Sequence, residues 1–173
     1  FTTQVSIENY NRLPPHFQEY ARYILEVGQR VSFVIQPTQE GFGHAVYTAR
    51  EAVGDEPFLL LLGDHVYRSD GPKSCARQLL EAFDLHGTSA IGLRRTPGDM
   101  IASFGTVTGT WIDDEGCQLN ITEIFEKPTV DYARANLQVP GLPEDNYLTA
   151  FGQYVVKPQL FDYLKEDIEN NLR

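Results

Sequence analysis

The sequence is poor in cysteine, in basic residues and in long apolar runs, and each shortage excludes a class of protein. Two cysteines, Cys75 and Cys117, do not make the disulfide framework of a small secreted domain, so we expect a reducing, cytoplasmic setting. Lys and Arg number 14 against 24 Asp and Glu, which argues against a nucleic-acid partner. No apolar run approaches the length of about 18 residues that a membrane span needs, and we expect no membrane partner.

What the chain does contain is typical of a globular α/β protein. Its 173 residues suffice for one domain with a sizeable core, and 42% of them are hydrophobic. Helical and strand patterns alternate first, and shorter strands dominate from Ala102 onward, which predicts an α/β fold with a mixed sheet over residues 1–173. The chain starts at Phe1 without an initiator Met and ends at Arg173 within a helical pattern, so we expect a domain truncated at both ends.

Hydrophobic periodicity assigns the elements. Helical spacing predicts helices over His16–Val27, Gly43–Ala52, Cys75–Leu85, Asp131–Asn136 and Pro158–Asn170. Runs rich in β-forming residues predict strands over Val31–Gln36, Phe58–Leu62, Ser89–Arg95, Phe104–Thr108, Trp111–Ile112, Ile121–Glu126 and Tyr147–Val156. Phe58–Leu62 is continuously apolar, as in parallel strands that are buried on both faces. Together with Val31–Gln36 and the helix between them, it predicts one βαβ crossover.

A glycine-containing turn, residues 41–45 (GFGHA), joins the first predicted strand to the next helix. Glycine allows a tight turn and a close approach of the backbone to a ligand. Gln36 ends the same strand immediately before Pro37, and its amide offers both a donor and an acceptor to the edge of a base. The alternatives are an ordinary glycine turn and a surface glutamine.

Asp64 follows the apolar strand in the segment Gly63-Asp64-His65. A carboxylate at the carboxyl end of a strand lies where open α/β sheets bind ligands, and it can hold Mg²⁺ against phosphate oxygens. The alternative is an aspartate that caps the next turn. We expect His65 to pack beside Asp64 and not to bind the metal, since no partner residue with ligand spacing is nearby.

A second charged segment, Glu126-Lys127-Pro128, ends another predicted strand. The glutamate can accept hydrogen bonds from sugar hydroxyls, and the lysine can neutralise a phosphate. Pro128 is expected to keep Lys127 extended. The alternative is an exposed ion pair in a turn, which contributes little to stability.

Taken in this order, the segments from Val31 to Lys157 resemble the bacterial-type glucose-1-phosphate uridylyltransferases and their thymidylyltransferase relatives. Residues 41–46 and 53–57 look most like the uridylyltransferase branch, whereas residues 63–68 (GDHVYR) also look like the adenylyltransferase branch. The resemblance implies a Rossmann-like nucleotidyltransferase sandwich with a mixed, mostly parallel sheet. It also implies the reaction of a nucleoside triphosphate with a sugar 1-phosphate, favouring UTP and glucose 1-phosphate, to give the nucleotide-sugar and pyrophosphate.

The resemblance assigns nucleotide-binding and metal-binding roles to three residues. Gln36 matches the glutamine that reads the base edge. Gly41 matches the glycine whose backbone meets the base. Asp64 matches the aspartate that binds Mg²⁺ and thereby takes part in catalysis.

The resemblance assigns sugar-binding roles to residues of the later strands. Gly105 matches the glycine that contacts the sugar, although Phe104 precedes it where the family has Tyr. Glu126 matches the glutamate that grips the sugar hydroxyls, and Lys127 matches the catalytic lysine on the sugar phosphate. Asn146 looks like the asparagine of the following sugar loop.

One part of the family pattern has no counterpart in these residues. The glycine-rich G-x-G-T-R…P-K segment that cradles the triphosphate is expected before Phe1, so the sheet should lack its first strand and loop. We therefore expect the 173 residues alone to turn over poorly and to self-associate as a homo-oligomer through an open sheet edge. Two alternatives stay open: an adenylyl- or thymidylyltransferase, and a non-catalytic module that binds or senses nucleotide-sugars.

Overall fold

The computed structural model describes residues 6–170, and the chain divides into two compact units between Ala52 and Val53. The expectation of a single domain over residues 1–173 stays a prediction.

The first unit is helical. It contains α1 (Ile7–Asn11), α2 (Pro15–Gly28) and α3 (Phe42–Thr48), and α4 (Arg50–Val53) follows at the division between the units. The predicted helix over His16–Val27 is confirmed as α2, which begins at a proline, a residue whose fixed φ and missing N–H suit the first turn. Gly41 precedes α3 with φ of 100°, a conformation that glycine adopts without a steric penalty.

The predicted strand over Val31–Gln36 is wrong for this structure. The segment carries no strand assignment, and Phe33 and Ile35 are exposed. A strand needs a neighbour for its backbone N–H and C=O groups, and the described strands give this segment none. The βαβ crossover that the sequence predicted is therefore not formed by the described residues.

The second unit holds one five-stranded sheet and three helices. Its elements in chain order are β1 (Phe58–Leu61), α5 (Cys75–His86), β2 (Ala90–Pro97), a 3₁₀ helix (Gly98–Ser103), β3 (Gly105–Trp111), β4 (Leu119–Glu126), α6 (Val130–Asn136), β5 (Asn146–Val156) and α7 (Leu160–Glu169). The predicted elements in this region are confirmed, with bounds that shift by a few residues, and the two strands predicted over 104–112 are one strand, β3.

The sheet is open, with the order β1-β5-β3-β4, and β2 pairs with β5 as well. The strand pairs within residues 6–170 are all antiparallel, so the prediction of a mostly parallel sheet is wrong for these residues. That prediction depended on the absent crossover and on the apolar run Phe58–Leu62. The run is only partly buried, with Leu61 46% exposed, and β1 pairs with the antiparallel strand β5.

Helices cover both faces of the sheet. Leu79 of α5 lies beside Gly92 and Gln153, whereas Phe161 of α7 stacks on Phe58 with ring centroids 5.2 Å apart. Because side chains alternate between faces along a strand, Phe58 and Gln153 point to opposite faces. The α/β class and the open sheet are thus confirmed.

Two apolar clusters form the described core. One contains Ile101, Ala133, Leu137 and Tyr147, and the other contains Val107, Val139 and Leu148. Each cluster includes a residue from the start of β5, Tyr147 in one and Leu148 in the other. The best-packed region therefore lies at that end of the strand. None of the helices in residues 6–170 has both the length and the apolar character that crossing a membrane requires.

Candidate functional site

A gap between two strands lies alongside the middle of β5. Tyr154 and Val155 pair with both β1 and β2, and Leu148 and Thr149 pair with both β2 and β3. Strands β1 and β3 therefore lie end to end on the side of β5 that faces away from β2. Strand β1 stops opposite Gln153 and β3 begins beside Ala150, so residues 150–152 lie between their ends. We call this region the β1–β3 gap.

A loop that runs from Leu62 to Tyr67 enters the β1–β3 gap from β1. The N–H of Leu62 donates to the carbonyl of Gly152 at 3.0 Å, and the hydroxyl of Tyr67 donates to the same carbonyl at 2.6 Å. Both bonds fasten the loop to β5. Asp64 lies within this loop, so the structure places the predicted metal ligand beside residues 151 and 152.

Asp64 is exposed and hydrogen-bonded. Its side chain is 85% exposed, and Nδ1 of His65 lies 2.9 Å from its Oδ1. The hydrogen bond from His65, followed by a hydrogen bond to backbone, holds the pKa of Asp64 below the usual aspartate value. The carboxylate is therefore ionised at neutral pH, and Oδ2 has no hydrogen bond from His65. His65 packs beside Asp64, as the sequence predicted.

Gly105 and Glu126 face each other at the other side of the gap. They are register partners at the start of β3 and the end of β4. A Cβ atom built on Gly105 would lie 3.0 Å from Oε2 of Glu126 and 3.9 Å from Cβ of Ala150. The missing side chain thus leaves room for the glutamate carboxylate beside β5. The pKa of Tyr154 is raised by burial first and also by the charge of Glu126, which places that carboxylate near the strand pair β1–β5 as well.

Lys127 directly follows Glu126 and lies beside the same end of β3. Its N–H donates to the carbonyl of Phe104 at 3.1 Å, and its Nζ lies 3.8 Å from Oε1 of Glu126. The backbone has φ of 50°, so the expectation that Pro128 keeps Lys127 extended is wrong. The hydrogen bond to Phe104 continues the β3–β4 ladder for one residue while the chain turns toward α6. A left-handed conformation at a lysine costs about 1 kcal/mol, and such strain is concentrated at functional sites.

Asn146 lies apart from the other predicted sugar residues. It begins β5, pairs with Pro97, and its side-chain amide donates to the carbonyl of Glu144 at 3.0 Å. It lies four positions before Ala150 along the strand, a span of about 13 Å. The described structure brings Gly105, Glu126 and Lys127 together at one side of the gap, and it ties the loop that carries Asp64 to Gly152 at the other side, whereas Asn146 lies at the far end of the same strand.

Three residues at the gap are not among the site residues that the sequence predicted. Tyr67 and Gly152 are joined across 85 positions by the hydrogen bond described above. The guanidinium of Arg94 lies 4.6 Å from the ring centroid of Phe104 and 5.2 Å from that of Phe151. Its Nε is buried without a hydrogen-bond partner in the described part of the chain. The sequence signal that could have identified Arg94 is its position, since it is a charged residue within a predicted strand.

In the first unit, Gln36 and Gly41 are held together. The amide nitrogen of Gln36 donates to the carbonyl of Gly41 at 3.2 Å and lies 3.0 Å from Nδ1 of His44. A carbonyl can only accept, so the NH₂ group of Gln36 must face Gly41, and Nδ1 of His44 then acts as the second acceptor. The amide oxygen of Gln36 remains as an acceptor for a ligand.

The donor set suits a magnesium ion that keeps most of its other ligands from water and phosphate. No group of three or more His, Cys, Asp or Glu side chains within residues 6–170 could hold a metal ion by itself. Mg²⁺ is commonly bound by one or two carboxylates together with substrate phosphates, and the ionised, exposed Asp64 offers one such carboxylate. The residues present therefore fit Mg²⁺ held jointly with a phosphorylated ligand.

Comparison with known proteins identifies the family of the chain. A family model described as nucleotidyl transferase matches residues 2–173. UTP–glucose-1-phosphate uridylyltransferase 2 of Staphylococcus saprophyticus is 34% identical over 146 residues, which are 84% of this chain and 45% of that protein. The uridylyltransferase of Staphylococcus haemolyticus is 32% identical over 139 residues, which are 80% and 43% of the two chains. The chain thus spans less than half the length of these curated relatives.

Solved structures support the fold. UDP-glucose pyrophosphorylase in complex with UDP-glucose matches with a TM-score of 0.70 at 23% identity, covering 93% of this chain and 57% of that chain. The UTP-bound enzyme from Acinetobacter baumannii matches with a TM-score of 0.64 at 24% identity, covering 95% and 58%. At this level of identity the likeness establishes the fold, and the predicted nucleotidyltransferase fold is confirmed.

Proposed function

Because the chain belongs to the nucleotidyl transferase family, we propose that it serves the synthesis of a nucleotide-sugar, UDP-glucose in the first place, from UTP and glucose 1-phosphate with release of pyrophosphate. The observation that carries the proposal is the β1–β3 gap. A glutamate beside a glycine and a strained lysine lie at one side of the gap, and the loop with an ionised aspartate is hydrogen-bonded to β5 at the other side, which supports the proposal.

Each side chain at the gap has a part in this reaction. The carboxylate of Glu126 accepts hydrogen bonds from hydroxyls of the sugar, and Gly105 leaves the space in which sugar and carboxylate meet. Lys127 neutralises the phosphate of the sugar 1-phosphate, whose oxygen attacks the α-phosphate of UTP in line with the leaving pyrophosphate. Positioning and charge neutralisation then supply the catalysis, and no protein base is required.

Mg²⁺ is the implied cofactor, and Asp64 is the residue that would hold it. When bound, the ion neutralises charge on phosphate oxygens. Asp64 contributes a carboxylate that is already ionised at neutral pH, so no proton has to leave when the ion arrives.

The first unit is proposed to bind the base. The amide oxygen of Gln36 accepts a hydrogen bond from uracil, and the hydrogen bonds to Gly41 and His44 fix the direction of that oxygen. Gly41, with φ of 100° and no Cβ, allows the backbone to approach the base closely.

A titration of the chain with three nucleotide-sugars tests the proposal. We expect UDP-glucose to bind more tightly than ADP-glucose or dTDP-glucose when heats of binding are measured with Mg²⁺ present. Gln36→Ala should weaken UDP-glucose by about 5–150-fold, because a base edge that becomes buried loses its partner. Gln29→Ala, an exposed glutamine of the same unit, is the matched control and should leave binding unchanged.

The titration also separates the alternatives. Tightest binding of ADP-glucose would favour the adenylyltransferase branch, which residues 63–68 resemble, and tightest binding of dTDP-glucose would favour the thymidylyltransferase branch. Tight binding of UDP-glucose by a chain extended to the length of its relatives, without release of pyrophosphate from UTP and glucose 1-phosphate, would favour a non-catalytic binding module. Binding of no nucleotide-sugar would overturn the proposal.

The setting of the reaction is proposed to be the cytoplasm. Cys75 is partly buried in α5 and Cys117 is exposed, and both thiols are free. A reducing compartment would keep them in that state.

A further inference from the structure

The hydroxyl of Tyr67 joins the loop that carries Asp64 to the centre of β5. It donates to the carbonyl of Gly152 at 2.6 Å and accepts from the N–H of Leu62 at 3.1 Å. A phenol has one hydrogen to donate, and its oxygen lies 3.2 Å from the carbonyl oxygen of Leu62 but 2.6 Å from that of Gly152, so the shorter contact identifies Gly152 as the acceptor. This hydroxyl therefore closes the two ends of the loop, Leu62 and Tyr67, on each other, and it adds a second bond to β5 beside the one from the N–H of Leu62.

Gly152 is shaped to receive this contact. Its φ is 58°, and a Cβ atom at this position would lie 3.0 Å from Cδ1 of Leu62 and 3.1 Å from the hydroxyl oxygen of Tyr67. Any side chain here would be strained and would push Tyr67 and Leu62 away. The close approach of the loop to β5 thus requires glycine.

The ring of Tyr67 continues the connection toward Asp64. It stacks on the ring of His65 with centroids 6.0 Å apart and an interplanar angle of 12°, and both rings meet Phe151 edge-on at 5.7 and 5.3 Å. His65 in turn holds Oδ1 of Asp64. A continuous path of contacts therefore runs from Gly152 through Tyr67 and His65 to the carboxylate.

The rest of the loop has little else to hold it. Asp64 is 85% exposed, Val66 is 87% exposed, and the backbone contact from the N–H of His65 to the carbonyl of Leu62 is long at 3.4 Å. Without the hydroxyl of Tyr67, the edge-on contact of His65 with Phe151 would be the main packing that holds the Asp64 side of the loop. Carboxylates that bind a metal must be held within a fraction of an ångström to act, so their supporting contacts matter.

We propose that Tyr67 is a positioning residue that fixes the place of the Asp64 carboxylate beside the β1–β3 gap through His65. This role rests on the proposed function, since it concerns the residue that would hold Mg²⁺ with a nucleotide-sugar. Tyr67 touches no substrate atom in this account. It sets the place and direction of the residue that does.

The test compares Tyr67→Phe with Tyr132→Phe in the whole chain. Tyr67→Phe keeps the ring that stacks on His65 and removes the hydroxyl. Tyr132→Phe removes a hydroxyl that donates to Glu123 at 2.9 Å and is the matched control. Hydrogen exchange of residues 62–67 measures the attachment of the loop, and titration with UDP-glucose in magnesium buffer and in EDTA measures the part of the affinity that depends on Mg²⁺.

We expect Tyr67→Phe to speed exchange across residues 62–67 at least fivefold and to lower the magnesium-dependent gain in affinity about fivefold, with the affinity in EDTA unchanged. Tyr132→Phe should change neither quantity. Unchanged exchange in Tyr67→Phe would overturn the proposal, and so would an unchanged magnesium-dependent gain. Loss of the fold or an equal loss of affinity in both buffers would also overturn it, because either result indicates a structural role.

The two proposals fail in different ways. A wild-type chain that binds no UDP-glucose in either buffer would overturn the proposed function. The exchange measurement needs no ligand, so it decides the attachment of the loop by Tyr67 in that case as well.

Discussion

At the scale of single residues, the charge of Asp64 depends on its neighbour. Nδ1 of His65 donates to the carboxylate, and this hydrogen bond is the largest cause of the lowered pKa. A carboxyl whose pKa is depressed in the folded chain stays ionised as the pH falls, and it becomes protonated only below its own lowered pKa. The carboxylate proposed to bind the metal should therefore keep its charge in mildly acidic solution.

Replacing His65 by Phe should reverse this effect. The variant keeps an aromatic ring beside Tyr67 and Phe151 but has no N–H for Asp64. We expect the pKa of Asp64 to rise toward the usual aspartate value, so that the carboxylate loses its charge at a higher pH than in the wild type. Carboxyl ¹³C NMR titration measures this pKa, with Asp64→Asn identifying the resonance. An unchanged pKa in His65→Phe would contradict the assigned cause.

At the scale of the elements, glycines at two positions of β3 have different tasks. Gly105 leaves room for the Glu126 carboxylate, whereas Gly109 lies at an irregularity of the β3–β4 register where a Cβ would approach the carbonyl oxygen of Asn120. A carboxylate at the end of a side chain can move aside, but a backbone carbonyl within a ladder cannot move without distorting the strand.

Alanine at each position should therefore separate function from stability. We expect Gly109→Ala to lower the free energy of unfolding by about 2 kcal/mol or more, because overpacked backbone must shift. Gly105→Ala should leave the unfolding free energy within about 1 kcal/mol of the wild type and should weaken UDP-glucose, since it displaces Glu126. Urea denaturation and titration of both variants check this. The reverse ranking of stabilities would show that Gly105 is needed for folding.

Local signals explain which elements the sequence predicts correctly. Pro15 begins α2, Ser74 caps α5 through a hydrogen bond to the N–H of Arg77, and Thr129 caps α6 in the same way. Such caps act over three or four residues and can be read directly from the chain. Strand partners cannot be read this way. The apolar run at Phe58–Leu62 predicted a strand correctly. Its partner, β5, lies almost 100 positions further along the chain, and no local signal identifies it.

The residues of the candidate site differ in the same way, since those with a local sequence signal were predicted and those whose roles depend on distant segments were not. Asp64, Gly105, Glu126 and Lys127 were predicted because strand ends and a family resemblance mark them, and the structure joins the last three to one another at the start of β3. Tyr67, Gly152 and Arg94 were missed because their roles arise from contacts between distant segments. A tyrosine three residues after Asp64 has no local feature that reveals a bond to Gly152.

At the scale of the whole molecule, the open sheet suggests association between copies. Strand β1 has a strand neighbour on one side within residues 6–170, and Leu61 at its end is 46% exposed. Unpaired backbone groups on an apolar edge strand invite pairing with another chain. We propose that the chain forms homo-oligomers through β1.

Leu61→Lys should weaken this association, because a charge on an edge strand opposes strand pairing. Leu85→Lys is the matched control, since it adds the same charge at a leucine of α5 that is 69% exposed. Sedimentation velocity over a range of concentrations measures the oligomer. Monomeric wild-type chain at about 100 μM, or equal dissociation by Leu85→Lys, would contradict a role for the β1 edge.

The central claim is that the β1–β3 gap recognises the sugar of a nucleotide-sugar through Glu126. Titration of wild-type chain and Glu126→Ala with UDP-glucose and with UDP, which lacks the sugar, tests it most directly. Glu123→Ala, on the same strand, is the control. We predict that Glu126→Ala weakens UDP-glucose about 10–150-fold, the cost of losing hydrogen bonds to a charged acceptor, and leaves UDP unchanged. An equal loss for UDP and UDP-glucose, or no loss for either, would contradict the account.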